Sequence, residues 1–255
     1  VSRANLGELN PFVLWDHFSI SGADGTAGFG FHGHSGVATI TYPLISSIKH
    51  EDTAGHSGHL FSGGVQVMSA GEGVLHKETV YPDAGVAEAF QLWTLLPEVE
   101  HEMGPVSYAT APNDALPEVI NTAGKTKVLV GTHQGESSPI RHTVAMTYLH
   151  VHLKSGSIWQ HDVSKNQTTA FIYLRSGQLT ICSTLLSAGE MGIFNYSDGD
   201  IEVSTGNKTS EFLLVTGEPL AQPIISTGPS VHSSRDNAIR GSRLINKLQM
   251  NLTHP

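Results

Sequence analysis

Gly30-Phe31-His32-Gly33-His34 opens, and Leu75-His76-Lys77-Glu78 closes, the stretch that decides the reading of this 255-residue chain. Each end carries two metal-capable side chains at positions i and i+2. On an extended strand, side chains at that spacing point to the same face. His32 and His34 would therefore point together, as would His76 and Glu78. If the two strands face the inside of one small barrel, three imidazoles and one carboxylate converge. Such a donor set suits a divalent first-row metal with positions left open for water, substrate or oxygen. Either pair alone is what an ordinary strand could also carry, because histidine serves many ends. Both together, each at a glycine-flanked strand edge, favour a metal site.

Around that stretch, short apolar segments alternate with glycine-rich turns. Residues 10–18 read as a strand, 21–28 as a loop and 36–45 as a strand through Val37, Ile40, Tyr42 and Leu44. Further strands are expected near 60–68 and 90–96. From Pro97 to Lys125 the rhythm is lost, with Pro105, Pro112 and Pro117 in this connection. A second strand series follows, including 143–153 and 178–183. Many short strands with almost no helical periodicity argue for an all-β sandwich or barrel architecture. The expected division is 1–118 and 119–255, the latter including a short C-terminal helix. Ser233 with Asp236 suggests a capping box at the start of that helix, and Ile239, Leu244, Ile245 and Leu248 suggest its apolar face.

Composition narrows the function classes. Hydrophobic residues are 39% and charged residues 15%, as in a globular protein. The net charge is −9 with no Lys/Arg cluster, so neither direct nucleic-acid binding nor an acidic membrane surface is expected. No apolar run is long enough for a transmembrane helix. Cys182 is the single cysteine, and Val1–Asn5 carries no hydrophobic signal core. Both features point to a reducing compartment, cytoplasmic or nuclear.

Taken in order, the motifs are specific. His32-Gly33-His34-Ser35-Gly36, Ile40-Thr41-Tyr42, His50-Glu51-Asp52, Gly64-Val65-Gln66 and Ala70-Gly71-Glu72-Gly73-Val74-Leu75-His76-Lys77-Glu78 follow one another, and Gly217-Glu218-Pro219-Leu220 comes late. In this series the chain resembles the pirins, two-domain members of the cupin superfamily. The resemblance implies a bicupin of two packed antiparallel β-barrels of jelly-roll type. It implies one divalent metal in the N-terminal barrel, held by His32, His34, His76 and Glu78, with the second barrel empty. Fe(II) is the metal it favours, with Mn, Co, Ni, Cu or Zn as alternatives. Gly33, Ser35 and Ala38 depart from the pirin pattern, in which proline, arginine and an acidic residue are usual.

The resemblance also implies function. Some pirins oxidise quercetin-like flavonols with O₂, and others bind transcription factors as iron-dependent regulators. This chain is expected to be a quercetin 2,3-dioxygenase-like oxidoreductase taking a small-molecule substrate and O₂, and a monomer. The alternative is a non-enzymatic regulator of a transcription or signalling protein. A third reading is a catalyst repurposed for another small-molecule reaction. Glu78 reads as a ligand, with a second role open to it as the base that accepts a substrate proton. Phe29, Phe31, Met68 and Trp93 read as barrel core, with pocket lining as the alternative. His50, His56 and His59 read as a solvated loop, with a second metal site as the alternative, and His150-Val151-His152 as a remnant strand pattern with no fourth partner and hence no site. Cys182 reads as a buried, inert thiol.

Overall fold

A computed structural model describes residues 7–22, 25–197 and 199–253. Val1–Asn5 and the Ala23-Asp24 pair of the expected loop lie outside them. The chain divides into two units, one of residues 1–114 with 220–255 and one of residues 115–219.

The first unit contains β1 (Phe12–Ser21), β2 (Ala27–His34), β3 (Val37–Ile45), β4 (Ser47–Asp52), β5 (Ser57–Leu60), β6 (Val65–Ser69), β7 (Val74–Tyr81), β8 (Val86–Leu95) and β9 (Ser107–Ala111). They form a five-stranded sheet, β1-β8-β3-β6-β9, and a four-stranded sheet, β2-β7-β4-β5. Every pairing in both sheets is antiparallel. The sheets are packed on each other and not closed into a barrel. Ile48 of β4 and Val80 of β7 pack against Ala87 and Ala89 of β8, with Phe18 and Ile20 of β1 beside them. Burying side chains of the size of Ile48 and Val80 contributes about 1.5–3 kcal/mol each.

Period-two alternation sets the inner face. Along β7, His76, Glu78 and Val80 are buried while Lys77, Thr79 and Tyr81 are not. Register then aligns the neighbours. His32 of β2 lies opposite His76, past a bulge between Phe29 and His32. On the other side of β7, His50 lies opposite Glu78 and Asp52 opposite His76.

The C-terminal segment corrects the expected domain division. Residues 220–255 belong to the first unit and not to the second. Helix α1 (Arg235–Thr253) covers the outer face of β2 and β7. A Cβ built at Gly33 would stand 2.6 Å from Ile245 Cγ2 and 2.9 Å from Leu75 Cδ2. A Cβ at Gly241 would collide with Ser35 Oγ, so Gly241 lets the helix approach that close. The departures at Gly33 and Ser35 thus mark the seat of the helix. Ala38 is fully buried in β3, where an acidic side chain would be desolvated.

The helix begins one residue later than the capping pattern suggested. Ser234 Oγ accepts the Asn237 N–H (3.2 Å), and the Ser234 carbonyl accepts the Ala238 N–H (3.0 Å). Ser233 is engaged elsewhere, its N–H donating to the buried Glu102 carboxylate, which also accepts from His232 Nδ1 at 2.9 Å. Ile239 is exposed, and Ala238 and Gly241 supply the buried face in its place.

The second unit repeats the two-sheet plan. Its six-stranded sheet runs Glu118–Ile120, Gly124–Val130, Met146–Leu153, Ser210–Gly217, Thr169–Ser176 and Met191–Ile193 in spatial order. A four-stranded sheet, Ile158–His161, Ile201–Ser204, Gln178–Ile181 and Thr184–Ser187, carries the other half of its core. Leu149, Val151, Phe212 and Leu214 meet Trp159, Leu179, Leu186 and Val203 there. Cys182 is exposed, not buried. It and Ser183 form the two-residue loop between paired strands, with φ of 46° and 69°, the left-handed pair that such tight hairpins require. The fold is therefore all-β with one C-terminal helix. Among the described residues, no helix is long and apolar enough to cross a membrane.

Candidate metal centre

Strands β2, β7 and β4 bring His32, His34, His76, His50 and Glu78 to one face of the four-stranded sheet. The ligand-capable atoms of His32, His34 and His76 all lie within 4.8 Å of one another. Those of His50, His76 and Glu78 form an overlapping group at the same spacing. His76 belongs to both. Glu78 therefore groups with His50 and His76 and not with all three of the other residues read from the sequence. The five-stranded sheet contributes Trp93, whose ring meets His34 edge-on at 4.6 Å, and Tyr108 beside His50.

The hydrogen bonds assign a tautomer to each ring. His32 Nδ1 lies 2.8 Å from the Gly30 carbonyl and His34 Nδ1 lies 2.7 Å from the Pro229 carbonyl. A carbonyl only accepts, so both Nδ1 atoms carry the proton and both Nε2 atoms keep a lone pair. For His76 the partner is His50, Nδ1 to Nδ1 at 3.4 Å. His50 Nε2 lies 2.8 Å from Asp52 Oδ2, so it is the Nε2–H of His50 that donates to the carboxylate. With a single proton on the ring, placed on Nε2 by Asp52, the Nδ1 of His50 accepts from His76 Nδ1. This order leaves His76 Nε2 with a lone pair, and that atom is buried without a partner among the described residues. Three imidazoles that engage Nδ1 and leave Nε2 to a ligand fit a divalent metal.

Charge agrees with this assignment. Burial pushes His34 down to about 4, against the bond to Pro229 and with a smaller contribution from His32. Burial, with His34, His32 and His50 adding repulsion, pushes His76 down to about 2. Both rings are neutral near pH 7, as ligands must be. Burial pushes Glu78 up to about 7, opposed by a hydrogen bond from Gln91. A buried carboxyl at that value has an environment that a metal cation would relieve.

Several residues stand differently from their sequence reading. Phe29 and Phe31 are 57% and 38% exposed, neither core nor buried lining. Alternation puts Phe31 on the face opposite His32, whereas the register past the bulge pairs Phe29 with Glu78, and its exposed ring lies 6.0 Å from that of His32. Met68 is core, packed with Ala70 and Val74. His50 is not solvated but 3% exposed and part of the cluster. His56 and His59 are exposed, and only His56, lying against the Tyr108 ring, approaches the cluster.

Among the described residues the second unit holds one further group, His150 and His152 with Glu211 as their third partner. That partner is already engaged. Glu211 Oε2 accepts from Arg175 at 2.6 Å and Oε1 lies 2.8 Å from His150 Nε2. Arg175 and Lys125 add positive charge around His152. The arrangement is a saturated ion-pair network and a poor cation site.

Comparison with known proteins agrees with this geometry. Residues 1–94 match the Pirin family model and residues 148–241 the Pirin C-terminal cupin domain. The chain belongs to the pirin family. It is 34% identical to Pirin-1 of Arabidopsis thaliana over 89% of this chain and 78% of that protein. It is 31% identical to a putative quercetin 2,3-dioxygenase of Pseudomonas aeruginosa over 92% of this chain and 85% of that one. The crystal structure of a quercetin 2,3-dioxygenase from Acinetobacter baumannii superimposes with a TM-score of 0.87 at 25% identity, over 97% of this chain and 88% of that chain. The pirin fold of both units is thereby shown, together with His/Glu groups able to hold a metal.

Proposed function

We propose that this pirin is an Fe(II)-dependent dioxygenase acting on flavonol-like small molecules, with His32, His34, His76 and Glu78 as the metal ligands. The observation that carries the reading is the convergence of His32, His34 and His76, whose ligand-capable atoms lie within 4.8 Å of one another, with His76 Nε2 buried and without a partner among the described residues. The likeness to proteins named as quercetin dioxygenases supplies the substrate class. When bound, the metal would supply a Lewis acid that lowers the pKa of a chelating hydroxyl and brings substrate and O₂ together.

The chain's own residues divide the remaining work. His34, His76 and Glu78 are buried, whereas His32 is part-exposed, so substrate would approach from the His32 side. Phe29, whose ring lies 6.0 Å from that of His32, flanks that approach and offers a face on which a planar aromatic substrate could stack. Glu78 accepts the hydroxyl proton in this scheme. Burial raises its proton affinity above that of an ordinary carboxylate.

The test is consumption of quercetin under O₂ by protein loaded with Fe(II). Turnover that disappears in His76→Ala supports the proposal. Loaded protein that leaves a flavonol panel untouched overturns it. The same exposed Phe29 and Phe31 favour one second reading, a regulator whose protein partner covers them. That reading expects a partner whose affinity depends on iron oxidation state. Equal binding by the Fe(II), Fe(III) and metal-free forms would remove it.

A further inference from the structure

The cluster contains a hydrogen-bonded line that the ligand set does not require. It begins at Asp52, at the end of β4. Oδ1 accepts the backbone N–H groups of Ala54 (2.8 Å) and His56 (3.0 Å), which fixes the carboxylate in its turn. Oδ2 accepts from His50 Nε2 at 2.8 Å and from the Tyr108 hydroxyl. The Asp52 side chain is fully buried and that of His50 is 4% exposed. His50 Nδ1 then faces His76 Nδ1. Tyr108 stands on β9, so the line is clamped from both sheets.

A carboxylate can only accept, and that single fact orders every proton along the line. We infer that Asp52 and His50 form a positioning relay that holds His76 in its Nδ1–H tautomer and thereby keeps Nε2 free for the metal. This inference rests on the metal centre proposed above. His32 and His34 have the same service from backbone carbonyls, which are also obligate acceptors. Among the described residues no backbone carbonyl accepts from His76, and a histidine supplies the acceptor in its place. A histidine can equally donate, so His50 needs its own anchor, and Asp52 is that anchor. Outer partners of this kind typically contribute 10–100-fold in metal affinity.

Asp52→Asn separates the relay from mere packing, because it keeps the side chain's shape. The two backbone N–H groups hold the introduced amide oxygen in the place of Asp52 Oδ1. The amide nitrogen then replaces Oδ2 and donates to His50 Nε2. His50 must carry its proton on Nδ1, and His76 must accept there and carry its own proton on Nε2. The line is inverted and the ligand atom is blocked.

The experiment uses the full chain with ¹⁵N-labelled histidine, with long-range ¹⁵N–¹H correlation to assign tautomers and zinc titration to measure affinity. In the metal-free wild type, His76 is expected as the Nδ1–H tautomer. In Asp52→Asn it is expected as Nε2–H, with zinc binding weakened at least about tenfold. His50→Phe should lose the preference and weaken zinc similarly. His50→Gln should restore much of the affinity, since its amide can donate to Asp52 and accept from His76. An unchanged His76 tautomer and unchanged zinc affinity in Asp52→Asn and His50→Phe would overturn the relay. Failure of the wild type to bind any divalent metal would overturn the metal centre instead, and the metal-free spectra would still decide the proton order.

Discussion

Each unit contains a buried pair of imidazoles joined Nδ1 to Nδ1, at 3.4 Å for His50 and His76 and at 3.1 Å for His133 and His161. The residue types are the same and the outcomes differ. Around the first pair stand Asp52, His32, His34 and Glu78. Around the second stands Trp159, stacked on His133 at 5.3 Å and on His161 at 6.1 Å. Among the described residues the Nε2 atoms of both His133 and His161 are buried without a partner, as is that of His76. Yet among the described residues no third ligand reaches the second pair. A metal site is made by what adjacent strands place beside a histidine, not by the histidine itself. With the indole filling the space, the second pair is a packing element.

That contrast breaks most directly on metal uptake. His76→Ala is expected to abolish uptake of one divalent ion per chain, measured by elemental analysis after loading and desalting. His161→Ala should leave uptake unchanged. Loss of the ion should also show in stability. At metal concentrations a hundredfold above Kd, binding contributes about 2.7 kcal/mol. Chelation should lower the thermal midpoint of the wild type and not that of His76→Ala.

The second pair should also show itself in acid. Burial, with repulsion from His133, pushes His161 down to about 4. Its pKa in the folded chain is thus below its value of about 6.5 when unfolded. Unfolded chains take up the proton first as pH falls, so stability is fully present above about 6.5 and is lost progressively toward pH 4. The loss amounts to as much as ~3 kcal/mol at 1.36 kcal/mol per unit. Urea denaturation of metal-free protein from pH 7.5 to 4 should show a slope to which His161 contributes beside His34 and His76, and His161→Phe should make it shallower.

Part of the first unit's site is legible in the sequence and part is not. His32 and His34 were legible because alternation is local, and so were His76 and Glu78. His50 was not, because its role comes from the β4–β7 register that sets it opposite Glu78, and only the folded sheet reveals that. The same holds for Gly33 and Ser35. They stood out as departures in the sequence, but their cause is a helix some two hundred residues further along the chain. Phe29 and Phe31 were misread although the information was local, since alternation already opposed Phe31 to His32. The all-β class and the two halves followed from strand rhythm. The return of residues 220–255 to the first unit did not, because no short-range pattern specifies which sheet an amphipathic helix will cover.

That return gives a smaller test. Gly33→Val places a side chain against Ile245 and Leu75. Overpacking of this kind costs about 1–3 kcal/mol. Ile245→Ala should recover part of the loss in a double-mutant cycle, read by urea denaturation. Smallest of all, Cys182→Ser should leave stability within about 0.5 kcal/mol, as for an exposed loop position. The single native thiol should titrate fully with a disulfide reagent without denaturant. A thiol that reacts only after unfolding would contradict the hairpin geometry.

The central claim is that one metal is held by the imidazoles of the first unit through their Nε2 atoms. X-ray absorption at the metal edge of loaded wild-type protein tests it most directly, because imidazole rings give a countable multiple-scattering signal. The expected spectrum contains three imidazoles, matching His32, His34 and His76, with the remainder oxygen donors, and one imidazole fewer in His34→Ala. A spectrum with oxygen donors alone, or one unchanged by His34→Ala, would contradict the account.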